Sequence, residues 1–119
     1  MSLQVVATPP QERKGCGGET IRPLPDERLL KESVLLLKGF VDVTRLTILS
    51  LLQEGEVCVH DIVEALDISQ SGVSHQLRIL RDARLVSRRK EGRHVFYRLA
   101  DKHVELLLDN ALSHGEEAI

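Results

Sequence analysis

Aromatic side chains are nearly missing from this chain: one Tyr, two Phe and no Trp. Any core must therefore be assembled from Leu, Val and Ile. Cysteine is scarce too. Cys16 and Cys58 are the only two, which is too few for a disulfide framework, and both thiols are expected to be reduced. No apolar run approaches the roughly 18 residues of a membrane span. The opening stretch MSLQVVATPP lacks a basic segment followed by a long apolar one. These absences lead to the expectation of a cytoplasmic protein with no signal peptide and no membrane partner. Catalytic signatures are also missing. There is no HExxH, no nucleophile elbow and no third histidine for an open metal site, so neither an enzyme nor a small organic substrate is expected.

What is present fits one small domain: 119 residues, 42% of them hydrophobic. A core that thin leans readily on a second subunit. The net charge of -2 hides a strong segregation. Between Gln70 and Arg98 lie Arg78, Arg81, Arg84, Arg88, Arg89, Lys90, Arg93 and Arg98, against only Asp82 and Glu91. A basic segment on an acidic body marks one anion-binding surface.

Along the chain, residues 1–24 hold Pro9, Pro10 and Pro23 and a Gly cluster around Cys16, the composition of a flexible N-terminal arm. Residues 25–119 are expected to form a DNA-binding and dimerisation domain. PDERLLKESVLLLKGF opens with Pro25 and two acids, a helix start, and carries an apolar stripe. DVTRLTILSLLQEG reads as a second helix capped by Asp42, with Leu46, Ile48, Leu49 and Leu52 inward and Gly55 as its stop. VCVHDIVEAL is a short third helix, and Ser69 caps a fourth with Val73, Leu77 and Leu80 on one face. VSRRKEGRHVFYRL alternates around Glu91-Gly92, as a β-hairpin does, and a last helix follows. The order is α-α-α-α-β-β-α: mainly α with a small β-hairpin wing.

Two short helices joined by LDIS, with a basic hairpin directly after them, resemble a winged helix-turn-helix. The second helix of such a pair enters the major groove by its N-terminal end. Gln70, Ser71, Ser74 and His75 occupy its first two turns, where short polar side chains reach base edges or phosphates. Arg78 is placed for a phosphate, and Arg89, Lys90 and Arg93 on the wing suit phosphate or the minor groove. The expected partner is double-stranded operator DNA.

The terminal helix, DKHVELLLDNALSHGEE, holds His103 and His114 eleven residues apart. At 100° per residue they share one face, separated by about 16 Å along the axis. One ion cannot span that distance, because a zinc–nitrogen bond is only about 2 Å. An antiparallel symmetry mate removes the difficulty. His103 of one copy then lies beside His114 of the other, and twofold symmetry makes two sites. Glu117 follows His114 by one turn, and Asp101 reaches His103 from the non-helical helix start. Each site is then Asp101 and His103 from one copy with His114 and Glu117 from the other. This N2O2 set suits Zn(II), with Co(II), Cd(II) or Ni(II) as further candidates. Val104, Leu107, Leu108 and Ala111 form the stripe expected to be the dimer seam.

Over about residues 30–117 the chain resembles the ArsR/SmtB family of metal-sensing winged-helix repressors. The resemblance rests on TRLTILSLL, EVCVHDI, SQSGVSHQLRIL, LVSRRKEGRHVFY and the D-x-H-x10-H-x2-E pattern of the terminal helix. It implies a homodimer whose metal-free form binds operator DNA. Metal at Asp101, His103, His114 and Glu117 would release it, freeing genes for metal efflux or sequestration. Some relatives carry ELCVC on the third helix, a soft-metal site joined by cysteines of the arm. Here the motif is EVCVHD, so a second candidate set comprises Cys16, Cys58, His60 and Asp61. The alternative reading is a thiol-based repressor of the same fold, with Cys16 and Cys58 answering a soft metal such as Cd(II) or Pb(II), or an oxidant.

Overall fold

The computed structural model describes residues 13–119. Its contacts gather into two units, Met1–Leu35 and Leu36–Ile119, with the boundary inside the first helix. In the first unit, β1 (Arg13–Lys14) pairs antiparallel with β2 (Thr20–Ile21). Of the arm expected over residues 1–24, residues 1–12 lie outside the described residues. The β1–β2 ribbon was not anticipated, because two-residue strands carry no hydrophobic period. Helix α1 (Glu27–Lys38) starts where Asp26 Oδ1 accepts from the Leu29 N–H at 2.8 Å. No residue of α1 is buried, and Leu29, Leu30, Val34, Leu35 and Leu37 are exposed.

The second unit holds the core. Helix α2 (Val43–Leu51) is capped as expected, with Asp42 Oδ2 accepting from the Arg45 N–H at 3.0 Å. Ile48, Leu49 and Leu52 are buried and Leu46 partly so. The third helix begins later than its sequence suggests. Val57–Cys58 form a short strand, β3, and α3 runs Val59–Ala65. β3 pairs antiparallel with the inner strand of the wing, Val57 opposite Tyr97 and Cys58 opposite Phe96. The β-branched Val57 and the long-range partner decide this local choice, which periodicity over ten residues cannot see.

Helix α4 (Gln70–Asp82) turns Val73, Leu77 and Leu80 into the core. It ends in a Schellman turn: the Leu85 N–H donates to Leu80 O and the Arg84 N–H to Arg81 O. Arg84 takes the left-handed position (φ 61°) usually given to Gly. The wing follows as β4 (Val86–Glu91) and β5 (His94–Leu99), in register from Val86 opposite Leu99 to Glu91 opposite His94. Its two-residue loop has Gly92 at φ 62°, as a tight turn of this hand requires. The sheet order is β3-β5-β4.

Helix α5 (Lys102–Glu117) starts on Asp101, whose Oδ1 accepts from the Val104 N–H at 3.0 Å. The stripe expected as a seam divides. Val104 and Leu108 are buried in the protomer's own core and Leu107 packs partly against it, while Ala111 is exposed. Leu106 (53% exposed) and Leu112 remain outside. A helical period identifies an apolar face but not what covers it. Among the described residues, no helix is long and apolar enough to cross a membrane.

Candidate nucleic-acid interface and metal centre

The N-terminus of α4 is built around Ser69. Its Oγ accepts from the Gly72 N–H at 3.0 Å and meets Ser71 Oγ at 3.1 Å. A side chain on Gly72 would come within 3.2 Å of that Oγ, so the glycine keeps the cap intact. Gln70, Ser71, Ser74, His75 and Arg78 are all exposed, while Val73, Leu77 and Leu80 are buried. The structure leaves all five open to solvent on α4.

Between α3, α4 and the wing lies an open cleft of about 590 Å³. Gln70, Ser74, Arg78 and Arg93 line it, together with Arg81 and Arg88, which the sequence reading left unassigned. Arg81 was detectable as i+3 from Arg78, a helix neighbour. Arg88 required knowing which way the strand faces.

Arg89 sits differently from expectation. Its guanidinium donates to both carboxylate oxygens of Glu56 at 2.9 Å and to Glu91 at 2.8 Å, and it lies 4.6 Å from the centre of the Phe96 ring. The Arg89 hydrogen bond holds the Glu56 carboxyl below the usual glutamate range, and Glu56 in turn raises Arg89. Arg89 thus ties the wing to the loop before β3 while staying exposed, as Lys90 and Arg93 are.

A further arginine escaped the sequence reading. The half-buried Arg45 donates to the carbonyls of Gly39 (3.0 Å) and Lys38 (3.2 Å) and to Gln76 Oε1 on α4 (3.1 Å). One side chain joins the end of α1, the start of α2 and the recognition helix.

On α5 the four donors form two pairs. His103 Nδ1 is 3.8 Å from Asp101 Oδ1, and His114 Nδ1 is 3.5 Å from Glu117 Oε2. Both imidazoles are almost fully exposed, at 96% and 90%. Among the described residues, no group of three or more His, Cys, Asp or Glu gathers around one point. The chain therefore carries two pairs of one imidazole and one carboxylate, at opposite ends of one helix.

The second candidate set is dispersed over its elements. Cys16 is exposed in the first unit. Cys58 is half-buried, His60 Nε2 meets Glu64 at 3.3 Å, and Asp61 lies exposed in the first turn of α3. The neighbour found for Cys58 Sγ is His94 Nδ1, 3.8 Å away on the wing.

Comparison with known proteins bears on this arrangement. The profile of a family described as "Bacterial regulatory protein, arsR family" matches residues 42–88. The chain is 48% identical over 80 residues to a transcriptional repressor SmtB homolog of Synechocystis sp., covering 67% of this chain and 61% of that protein's length. It is 41% identical over 91 residues to the HTH-type transcriptional regulator NmtR of Mycobacterium tuberculosis, covering 76% of each. The fold is similar to a homodimeric winged helix-turn-helix DNA-binding domain from Mycobacterium bovis. That match has a TM-score of 0.73 at 29% identity and covers 82% of this chain and 92% of that one.

Proposed function

The chain belongs to the arsR family of bacterial regulatory proteins, and from that premise we propose that it is a Zn(II)-responsive transcriptional repressor. A metal-free homodimer binds operator DNA through Gln70, Ser71, Ser74, His75 and Arg78 of α4, with Lys90 and Arg93 of the wing. Zn(II) is the effector, held between two copies by Asp101 and His103 of one and His114 and Glu117 of the other. The observation that carries this reading is the pair of exposed half-sites on α5, each with one imidazole and one carboxylate within 3.8 Å and 3.5 Å. Two such halves make a four-donor N/O set of the kind zinc takes. The printed names of relatives support the repressor part of this reading: one is a transcriptional repressor SmtB homolog, and one solved neighbour is an antimony-specific transcriptional repressor.

Within the chain, Asp101 has two tasks. Its Oδ1 caps α5 and faces His103, so the helix start and the half-site share an atom. Bound zinc supplies a bond between the two terminal helices. Its effect on DNA follows from linkage: the metal must favour a dimer geometry other than the DNA-bound one. A hydrogen bond from a terminal-helix histidine to backbone near Arg84, at the end of α4, is the route we assign to the coupling. A His114 analogue without its second nitrogen donor should then bind zinc yet keep the operator.

The test is an operator titration, using a duplex selected from random DNA by the metal-free protein. Zinc should weaken wild-type binding by roughly 5- to 150-fold, the usual range of allosteric coupling. The His103→Ala/His114→Ala variant should bind the duplex normally and ignore zinc. Equal release of both proteins overturns the terminal-helix site.

A further inference from the structure

Arg81 and Arg88 stand outside the proposed DNA-contacting set, yet both line the cleft between α3, α4 and the wing. Strand side chains alternate between faces, and β4 uses its two faces differently. Arg89 is opposite Phe96, on the face where Glu56 and Glu91 take its guanidinium. Arg88 is opposite Tyr97 on the other face, and Tyr97 and Val95 both line the cleft. Arg78 and Arg81 reach the same space from α4, and Arg93 reaches it from the wing loop.

These four arginines share a second property. Arg45 and Arg89 each lie beside a carboxylate, but among the described residues Arg78, Arg81, Arg88 and Arg93 take part in no ion pair. No Asp or Glu lines the cleft. Four like charges around one concave, partly apolar space focus a positive potential there. An anion that bonds several guanidiniums at once relieves their repulsion, and phosphate oxygens accept the paired N–H donors of arginine well. One phosphate leaves most of the cleft empty. Its volume is about 590 Å³, within the roughly 300–1,000 Å³ of sites that enclose a small organic ligand. The half-buried Val59, Val63 and Val95 supply an apolar wall, which suits a flat ring and offers a phosphate nothing. A duplex strand keeps its bases paired and turned inward. It brings phosphates to the arginines but no ring to that wall.

We propose that this cleft binds a nucleoside triphosphate free in solution, with its phosphate chain on Arg78, Arg81, Arg88 and Arg93 and its base against Val59, Val63 and Val95. Gln70 and Ser74 border the same cleft, so an occupied cleft denies the operator part of α4. The nucleotide thereby acts as a second effector, independent of the donors on α5. That competition rests on the repressor reading, whereas nucleotide binding itself does not.

The experiment titrates full-length, zinc-free protein with ATP in the absence of DNA and reads the heat by calorimetry. One nucleotide should bind per protomer. Arg81→Ala/Arg88→Ala, with an unchanged circular dichroism spectrum, should weaken the affinity at least about tenfold, because two charge-assisted contacts are lost. Lys31→Ala/Arg98→Ala removes the same charge elsewhere and should leave the affinity nearly unchanged. Tripolyphosphate should bind less tightly than ATP, because it has no ring for the apolar wall. ATP should then weaken operator binding by the wild type, and less so by Arg81→Ala/Arg88→Ala. No saturable binding, equal affinity in Arg81→Ala/Arg88→Ala, or ATP matched by tripolyphosphate overturns the nucleotide site. Operator affinity that holds while ATP is bound overturns the competition. A wild type that takes ATP but retains no DNA sinks the repressor reading and supports the nucleotide site.

Discussion

Helices α4 and α5 are each amphipathic and each carry chemistry on the outer face, but they differ in how complete they are. The inner face of α4 is closed by its own protomer, with Val73, Leu77 and Leu80 buried. Its polar face is finished as a reading surface without help. Helix α5 buries only Val104 and Leu108, leaves Leu106 and Leu112 outside, and holds its donors as two separate pairs. On the proposed function, each chain presents its α4 surface complete, whereas the metal site on α5 would take donors from two chains.

The sharpest way to break this contrast is to remove one leucine from each helix. Leu77→Ala leaves a cavity in a fully packed core and should cost about 2–5 kcal/mol, read as a lowered denaturant midpoint at every protein concentration. Leu106→Ala should leave the protomer's own stability within about 0.5 kcal/mol and instead weaken self-association in sedimentation. Equal loss in both assays would erase the distinction. Next in size, Arg78→Ala should weaken operator binding by about tenfold and lower the slope of log affinity against log salt by about 1, with zinc release unchanged. A change in zinc affinity would show the two halves to be less separable than drawn.

A smaller effect concerns the joint between the halves. Arg84→Gly relieves a left-handed backbone that L residues disfavour by roughly 1 kcal/mol, so thermal stability should rise slightly. A fall would mean that the Arg84 side chain contributes more than its backbone costs. The smallest is a pH effect at the wing. The folded-state pKa of Glu56 lies below its unfolded value because Arg89 favours the carboxylate. Its contribution is therefore present above the ordinary glutamate range and lost as pH falls through the lowered folded value. Glu56→Gln should flatten acid unfolding in that window and leave neutral-pH DNA binding intact. Identical acid profiles would remove the ion pair from the account.

Much of this was legible in sequence wherever the signal is local. Asp42, Ser69 and Asp101 each cap the helix they precede, through bonds three residues long. The apolar face of α4 and the turn at Gly92 follow from period and residue type. What the sequence reading missed depends on strand facing and on distant neighbours: Val57–Cys58 as a strand, Arg89 bound to Glu56 33 residues away, and His94 against Cys58. Arg89 and Lys90 are adjacent basic residues on one hairpin, yet only the fold distinguishes a structural cation from an available one. Of the stripe on α5, Val104 and Leu108 are buried in the chain's own core, which the helical period does not reveal.

Arg45 has a consequence for genomic search. Gln76 accepts its hydrogen bond on α4, and on the proposed function the base-reading side chains are Gln70, Ser71, Ser74 and His75. Four short readers address about four base pairs, a sequence that recurs roughly once in a few hundred positions. A genome offers on the order of a million or more competitors. One such helix therefore cannot name a unique address, and two related by a twofold axis would square that rarity to roughly one in tens of thousands of positions, still short of unique among so many competitors. On the proposed function, the doubling that would complete the metal site would also lengthen the address, so an isolated operator half should be bound far more weakly than the whole.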